Sequence, residues 1–275
     1  MRLSCLPVSY FSQIIHGDMS VAQWAWQAKE VGLDAIDLSV LLLPDRDPQV
    51  LRSTRDEIRS AGLRVAMITT YPDFTHPDAE ERARQAALLE EDLKMAGIMG
   101  AEMVRVTAGQ AHPETGRSQG IDWAIEGLTN ALAAASEQGV QLVFENHSKP
   151  GVWEYSDFSW PTDIFLSIVQ GTAGTALGVN FDTANTLSRG DDPALVLEQV
   201  LDRVVSLHVS DTCSRTRLEP VVIGTGLVPF SEVFGILRGA GFAGWLCIEE
   251  ASNTGRAGVE AAVSFVRRAW AEWGT

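Results

Sequence analysis

The chain has 275 residues, an apolar fraction of 45% and a formal net charge of −15, so it is long and apolar enough to bury one large core. An acidic surface repels phosphate backbones, and we therefore expect no nucleic-acid partner. Cys5, Cys213 and Cys247 are far apart and lack a CxxC pattern, which favours reduced thiols in a cytoplasmic protein. We expect neither a membrane span nor a signal peptide, since no apolar run has the required length or position.

Short apolar runs alternate with longer amphipathic segments along the chain. In chain order, the predicted strands are residues 3–8, 35–38, 63–69, 102–107, 141–145, 176–182, 204–209 and 245–249. The predicted helices are residues 20–30, 49–60, 77–99, 121–138, 161–169, 193–201, 229–238 and 259–270, with Ser20 as an N-cap. Eight strand–helix units in order predict a parallel sheet that closes into a barrel.

The predicted fold class is therefore α/β, as one (β/α)₈ TIM barrel domain over residues 1–275. An open doubly wound sheet is the alternative. It would usually carry a glycine-rich phosphate turn after the first strand, and residues 7–10 (PVSY) do not form one.

Ligating side chains end the last four predicted strands, namely Glu145, Asp182, His208 and Glu249. Any one of them alone reads as a strand-end residue or a satisfied core histidine. Together they predict a site, because the carboxyl ends of parallel barrel strands converge on one face. Three adjacent carboxylates would repel one another unless a cation compensates. We predict one divalent metal ion, Mn²⁺ in the first place, with Mg²⁺, Co²⁺, Fe²⁺ and Zn²⁺ as alternatives.

Five segments of the chain carry a family resemblance. They are FENH (144–147), NFDTAN (180–185), LHVSD (207–211), GTGLVPF (224–230) and GFAGWLCIE (241–249). This pattern resembles the sugar phosphate isomerase/epimerase family of xylose isomerase-like barrels, and the resemblance covers nearly the whole chain. That superfamily includes ketose 3-epimerases, hydroxypyruvate isomerase, keto-inositol dehydratase and endonuclease IV.

The resemblance implies the same four metal ligands, with Glu249 rather than its neighbour Glu250 in the site. It also implies that Glu145 and Glu249 are the acid/base pair on opposite faces of a sugar. The metal would hold adjacent carbonyl and hydroxyl oxygens of a ketose and stabilise an enediolate. One carboxylate would remove a proton from carbon, and the other would return one to the opposite face.

One position and one segment depart from the family pattern. Asn185 stands where endonuclease IV and many epimerases carry a histidine, three residues after the aspartate. The run LEPVVIG (218–224) lacks the additional ligands that endonuclease IV needs. A multinuclear phosphodiesterase site is therefore disfavoured, and the prediction is narrowed to one metal ion.

The residues expected to contact a substrate lie at or beyond the strand ends. They are His16, His76, His147, Lys149, Trp153, Glu154, Asn185 and Arg217. His147 follows Glu145 by two residues and so shares its side of the strand. The resemblance implies the role of Arg217, for which Arg215 is a competing candidate. Solvated charge or ordinary loop packing is the alternative for these residues.

The leading functional prediction is a metal-dependent isomerase or epimerase of a small ketose or keto-sugar. The alternative is a lyase, a dehydratase or decarboxylase of a keto-inositol or keto-sugar acid. A phosphodiester hydrolase and a non-catalytic sugar-binding barrel are the remaining hypotheses. We expect a small-molecule carbohydrate as the partner, no membrane association, and a homo-oligomer, either a dimer or a tetramer.

Overall fold

A computed structural model describes residues 1–272, which fold around one eight-stranded parallel sheet. The strands are β1 (Arg2–Leu6), β2 (Ile36–Ser39), β3 (Val65–Thr69), β4 (Met103–Val106), β5 (Gln141–Glu145), β6 (Gly178–Asp182), β7 (Val204–Val209) and β8 (Trp245–Glu249). Every strand pairs with its neighbour in the chain except β1, which pairs with β8. The sheet is thereby rolled into a nearly closed barrel, and the predicted fold class is confirmed.

The seam of the barrel lies between β1 and β2. The backbone amide of Leu3 donates to Asp34 Oδ2 at 3.0 Å, and the amide of Asp34 donates to the Leu3 carbonyl at 2.9 Å. Ser4 Oγ donates to Asp37 Oδ2 at 2.6 Å further along the same seam. These contacts hold the two edge strands together where no sheet ladder joins them.

Helices connect and cover the strands. They are α1 (Phe11–Ile15), α2 (Val21–Glu30), α3 (Pro48–Ser60), α4 (Ala79–Met99), α5 (Arg117–Glu137), α6 (Thr162–Gly171), α7 (Thr183–Ser188), α8 (Pro193–Val200), α9 (Phe230–Gly239) and α10 (Arg256–Glu272). Short 3₁₀ turns occupy Val8–Tyr10, Val40–Leu42 and Leu201–Arg203. No helix within residues 1–272 is long and apolar enough to cross a membrane.

The ends of the elements follow local chemistry. Ser20 caps α2 as predicted, in a capping box with Gln23. Gly100 ends α4 in the left-handed conformation, with φ of 69°. Three strands, β5, β7 and β8, have the predicted bounds. Three differences are larger: α5 begins four residues before the predicted start, and two short helices, α1 and α7, were not predicted. The N-cap of α7 is Asp182.

Alternate side chains of each strand belong to two different apolar clusters. Val104, Phe144 and Ile248 belong to the main core. Met103, Val143 and Cys247 belong to a smaller cluster, which we assign to the barrel interior. Two residues further along their strands, on the same side, lie Arg105, Glu145 and Glu249. The interior is thus apolar in the middle of these strands and charged at or near their carboxyl ends.

Candidate metal centre

The four predicted ligands lie together at the carboxyl ends of β5 to β8. Glu145, Asp182, His208 and Glu249 each offer one ligand atom, and these atoms lie within 4.8 Å of one another. Asp182 and His208 are register partners on neighbouring strands. The side chains of Glu145 and His208 are fully buried, whereas that of Glu249 is 23% exposed. Glu249 therefore forms the accessible side of the cluster.

His208 stands between two carboxylates. Its Nδ1 contacts Oε1 of Glu145 and lies 3.0 Å from Oε2 of Glu249. Burial alone would lower the pKa of His208, but the charges of these carboxylates and their hydrogen bonds raise it well above its usual value. Both glutamates thus aim at the nitrogen that would bind a metal ion.

The cluster holds more negative charge than its own residues neutralise. Burial raises the pKa of Asp182 well above its usual value, and the charges of Glu249 and Glu145 raise it further. Three carboxylates and one imidazole are a donor set that a divalent cation can compensate, so the residues fit such an ion. They do not select one metal among Mn²⁺, Mg²⁺, Co²⁺, Fe²⁺ and Zn²⁺.

Arg105 is a buried cation that was not predicted as part of the site. It is 1% exposed, and its Nε lies 3.0 Å from Oε2 of Glu145. Its Nη1 donates to the Thr70 carbonyl at 2.8 Å, and its guanidinium lies 4.9 Å from the centre of the Tyr71 ring. Burial would raise the pKa of Glu145, but His208 and Arg105 bring it down to about 2. The sequence signal that could have predicted its role is a single arginine inside the otherwise apolar strand β4.

An amide and a hydroxyl side chain in the neighbouring strands support the Glu145 carboxylate. Asn180 Nδ2 donates to Oε1 of Glu145 at 2.9 Å, and Ser206 Oγ donates to Oδ1 of Asn180 at 2.8 Å. Each of these two residues precedes a ligand, Asp182 or His208, by two positions in its strand. The alternation of strand side chains could have placed them in the interior.

Asp182 is fixed by a second set of contacts. Ser210 Oγ donates to its Oδ2 at 2.9 Å, and the Asn185 backbone amide donates to its Oδ1 at 2.6 Å. Asn146 accepts from the Asp182 amide at 2.7 Å and donates to its carbonyl at 2.8 Å. The side chain of Asn185 is buried, and its Oδ1 has no hydrogen-bond partner. Its predicted contact with a substrate stays a prediction.

His147 lies beside the cluster as a buried, neutral imidazole. It is 8% exposed, and its Nδ1 has no hydrogen-bond partner. Burial lowers the pKa of His147 to about 4, against the raising effect of the Glu145 charge. At neutral pH it can therefore both donate and accept a hydrogen bond.

Three predicted contacts line one cavity of about 520 Å³, namely His76, Trp153 and Glu154, and none of the four candidate ligands lines it. Tyr71, whose ring packs against Arg105, also lines this cavity. Two side chains, Tyr71 and Arg105, therefore separate this cavity from Glu145. Lys149 Nζ donates to the Glu154 backbone carbonyl at 2.8 Å, so it is bound within its own loop.

The remaining predicted contacts are not brought to the cluster. Arg217 is exposed and forms an ion pair with Glu219 at 2.5 Å. His16 is exposed, and its Nδ1 lies 3.3 Å from Ser12 Oγ. Glu250 is buried, but its Oε1 accepts from the Ser252 amide at 2.9 Å, away from the four ligands.

The chain is similar to known proteins in sequence and in structure. The family model described as "Xylose isomerase-like TIM barrel" matches residues 26–269. An inosose dehydratase of Bacillus thuringiensis (strain Al Hakam) is 26% identical over 140 residues, which span 45% of each chain. The chain thus matches less than half the length of this relative.

Solved structures of low sequence identity share the fold. A D-tagatose 3-epimerase-like protein superposes with a TM-score of 0.81 at 16% identity, covering 100% of this chain and 98% of that one. The probable 3-DHS dehydratase AsbF from Bacillus anthracis superposes with a TM-score of 0.76 at 15% identity, covering 97% and 99%. The family match over most of the chain, together with the barrel itself, establishes that the chain belongs to the xylose isomerase-like TIM barrel family.

Proposed function

We propose that the chain is a metal-dependent isomerase or epimerase of a small ketose or keto-sugar, which acts through an enediolate. One observation carries this proposal: two glutamates of different exposure meet at a single site whose donor set suits a divalent cation. When bound there, the cation supplies a positive charge that acidifies a C–H bond next to a substrate carbonyl. Mn²⁺ is the metal we propose first.

The two glutamates have different environments, which suggests different roles. Glu249 is the accessible carboxylate, so we assign to it the first removal of a proton from carbon. Glu145 is held by Arg105, Asn180 and His208, which fix its orientation. We assign to Glu145 the exchange of a proton on the opposite face of the substrate.

The neighbouring groups suit a polyhydroxylated substrate. The neutral His147 can hydrogen bond to a substrate hydroxyl or carbonyl oxygen with its free Nδ1. The cavity lined by Tyr71, Trp153 and Glu154 offers aromatic and polar walls, and the Tyr71 ring connects it through Arg105 to Glu145. A cytoplasmic location and a homo-oligomeric state remain predictions from the sequence.

A lyase is the second candidate, and the matched relatives favour it. The sequence match is to inosose dehydratases, and the probable 3-DHS dehydratase shares the fold. Proton abstraction by Glu249 would begin either reaction, because loss of a β-hydroxyl group from the same enediolate gives dehydration. The two candidates differ in product mass, since isomerisation conserves mass and dehydration removes one water.

The test is turnover of ketoses, keto-sugars and keto-inositols by the Mn²⁺-loaded protein in D₂O. We expect a product of unchanged composition with solvent deuterium at one carbon. A product lighter by one water would identify the lyase instead, and turnover without deuterium would contradict proton abstraction.

A matched pair of variants tests the role of Glu249. We expect Glu249→Gln to lose at least about 100-fold in kcat, a typical contribution of one acid/base group. Glu250→Gln changes the adjacent glutamate, which lies outside the cluster, and should keep activity near that of the unmodified chain. Equal activity of both variants would refute the assignment.

A further inference from the structure

Tyr71 lies beside the candidate metal centre, and the proposed reaction gives it no role. It follows β3, where Ser39 Oγ and Thr69 Oγ1 lie 3.1 and 3.3 Å from its hydroxyl oxygen. The centre of its ring lies 4.9 Å from the guanidinium carbon of Arg105. A guanidinium is attracted to the face of an aromatic ring, most strongly where water is excluded. Arg105 is 1% exposed, so this contact is made without competing water.

The ion pair between Arg105 and Glu145 does not by itself fix the orientation of the guanidinium. Arg105 Nε lies 3.0 Å from Glu145 Oε2, yet neither atom has a hydrogen-bond partner among the described residues. A Coulomb attraction has no preferred angle, whereas a hydrogen bond has one. The guanidinium is instead oriented by the Thr70 carbonyl, to which its Nη1 donates at 2.8 Å, and by the ring of Tyr71, the next residue.

The position of Arg105 determines which oxygen of Glu145 is directed at the cluster. Arg105 lies against Oε2, whereas Asn180 Nδ2 donates to Oε1 at 2.9 Å and His208 Nδ1 contacts the same Oε1. The two carboxylate oxygens thus have different partners. A guanidinium that moved away would release Oε2 and allow the carboxylate to rotate.

We propose that Tyr71 is a positioning residue: its ring fixes Arg105 against Oε2 of Glu145 and thereby keeps Oε1 directed at the cation. Groups that orient a metal ligand in this way commonly affect metal affinity without touching the metal. Tyr71 also lines the cavity of about 520 Å³, so direct contacts join the wall of this cavity to a proposed acid/base group. This inference rests on the proposed metal site and adds a residue outside the four ligands.

Tyr71→Leu tests the inference, because it removes the ring and leaves the charges of Arg105 and Glu145 in place. Mn²⁺ affinity is measured by competition with a chelator at pH 7.5. We expect Mn²⁺ to bind at least about 10-fold more weakly to this variant. Tyr71→Phe keeps the ring, so its loss should be about threefold or less. Tyr155→Leu is the matched control, since the Tyr155 ring packs against His112 at 5.4 Å, and its affinity should stay within about threefold of the unmodified chain.

An Arg105→Met background separates positioning from packing. If Tyr71 acts through Arg105, Tyr71→Leu should change Mn²⁺ affinity by less than about threefold in that background. A loss of the same size in both backgrounds overturns the inference, and so does an equal loss for Tyr71→Phe and Tyr71→Leu.

A crystal structure of Tyr71→Leu gives a second readout that does not need the double variant to fold. We expect Arg105 Nε to lie more than about 4 Å from Glu145 Oε2, beyond the range of an ion pair, and an unchanged contact overturns the inference. If the unmodified chain binds no Mn²⁺, the metal site itself fails, and this inference fails with it. Mn²⁺ binding that depends on Tyr71 in a protein that turns over no ketose would support the inference and refute the proposed function alone.

Discussion

Replacement of Arg105 by methionine tests how much the buried ion pair between Arg105 and Glu145 stabilises the fold. Arg105 is 1% exposed and Glu145 is 0% exposed, so the pair has almost no solvent to screen it. Arg105→Met removes one of the two cations that face the buried Glu145 carboxylate and leaves only His208, and breaking a buried ion pair costs about 3–5 kcal/mol. The Thr70 carbonyl also loses a donor at 2.8 Å, worth about 1 kcal/mol.

The assay is urea unfolding of the metal-free protein at pH 7.5, with the free energy of unfolding taken by linear extrapolation. We expect Arg105→Met to lose about 3–5 kcal/mol. Arg64→Met is the control, because Arg64 is 55% exposed and pairs with Glu102 at 3.1 Å. An exposed pair of this kind is worth about 1 kcal/mol or less.

A double-mutant cycle separates the ion pair from packing. In a Glu145→Gln background the buried charge is absent, so Arg105→Met should cost at least about 2 kcal/mol less than in the unmodified chain. An equal loss in both backgrounds would refute the ion-pair explanation. A loss under about 1 kcal/mol in the unmodified chain would refute it as well.

Two further predictions concern stability. Burial raises the pKa of Asp157 to about 8, so the folded chain keeps a proton that the unfolded chain releases near pH 4, and stability falls as pH rises between these values. Asp157→Asn should abolish that loss, which is roughly 6 kcal/mol at most, and an unchanged pH profile of urea unfolding would contradict the assignment. Gly109 has φ of 130°, and an added Cβ would lie 2.3 Å from Thr75 Oγ1. Gly109→Ala should therefore lose about 2–3 kcal/mol, while Gly235→Ala, inside α9 with open space around it, should gain up to about 1 kcal/mol, and like signs for the two would contradict this reasoning.

Local patterns were sufficient to predict the barrel and the convergence of the four candidate ligands. The strands β5 and β8 are apolar runs that end at an acidic residue, so Glu145 and Glu249 mark both the strand end and the site. The short helix α7 was missed because its N-cap, Asp182, had already been read as the end of a strand. In the structure Asp182 is both the last residue of β6 and the N-cap of α7.

The partners of the site could not be predicted from local patterns. Arg105 looks like an ordinary strand residue, and its role depends on the side chain of Glu145, which approaches from the neighbouring strand. The loop residues show the same limit. Arg217 pairs with Glu219 two positions away, so its proximity in sequence to the seventh strand end did not place it in the cluster.

Metal stoichiometry tests the central claim most directly. After dialysis against Mn²⁺ and removal of the unbound ion, the metal content per chain is measured for the unmodified protein, Asp182→Asn and the exposed control Asp163→Asn. The account predicts one Mn²⁺ per chain for the unmodified protein and the control, and a large loss for Asp182→Asn, because a neutral amide replaces one of three carboxylates in the cluster. Absence of bound Mn²⁺ from the unmodified protein, or one Mn²⁺ retained with equal affinity by Asp182→Asn, would contradict it.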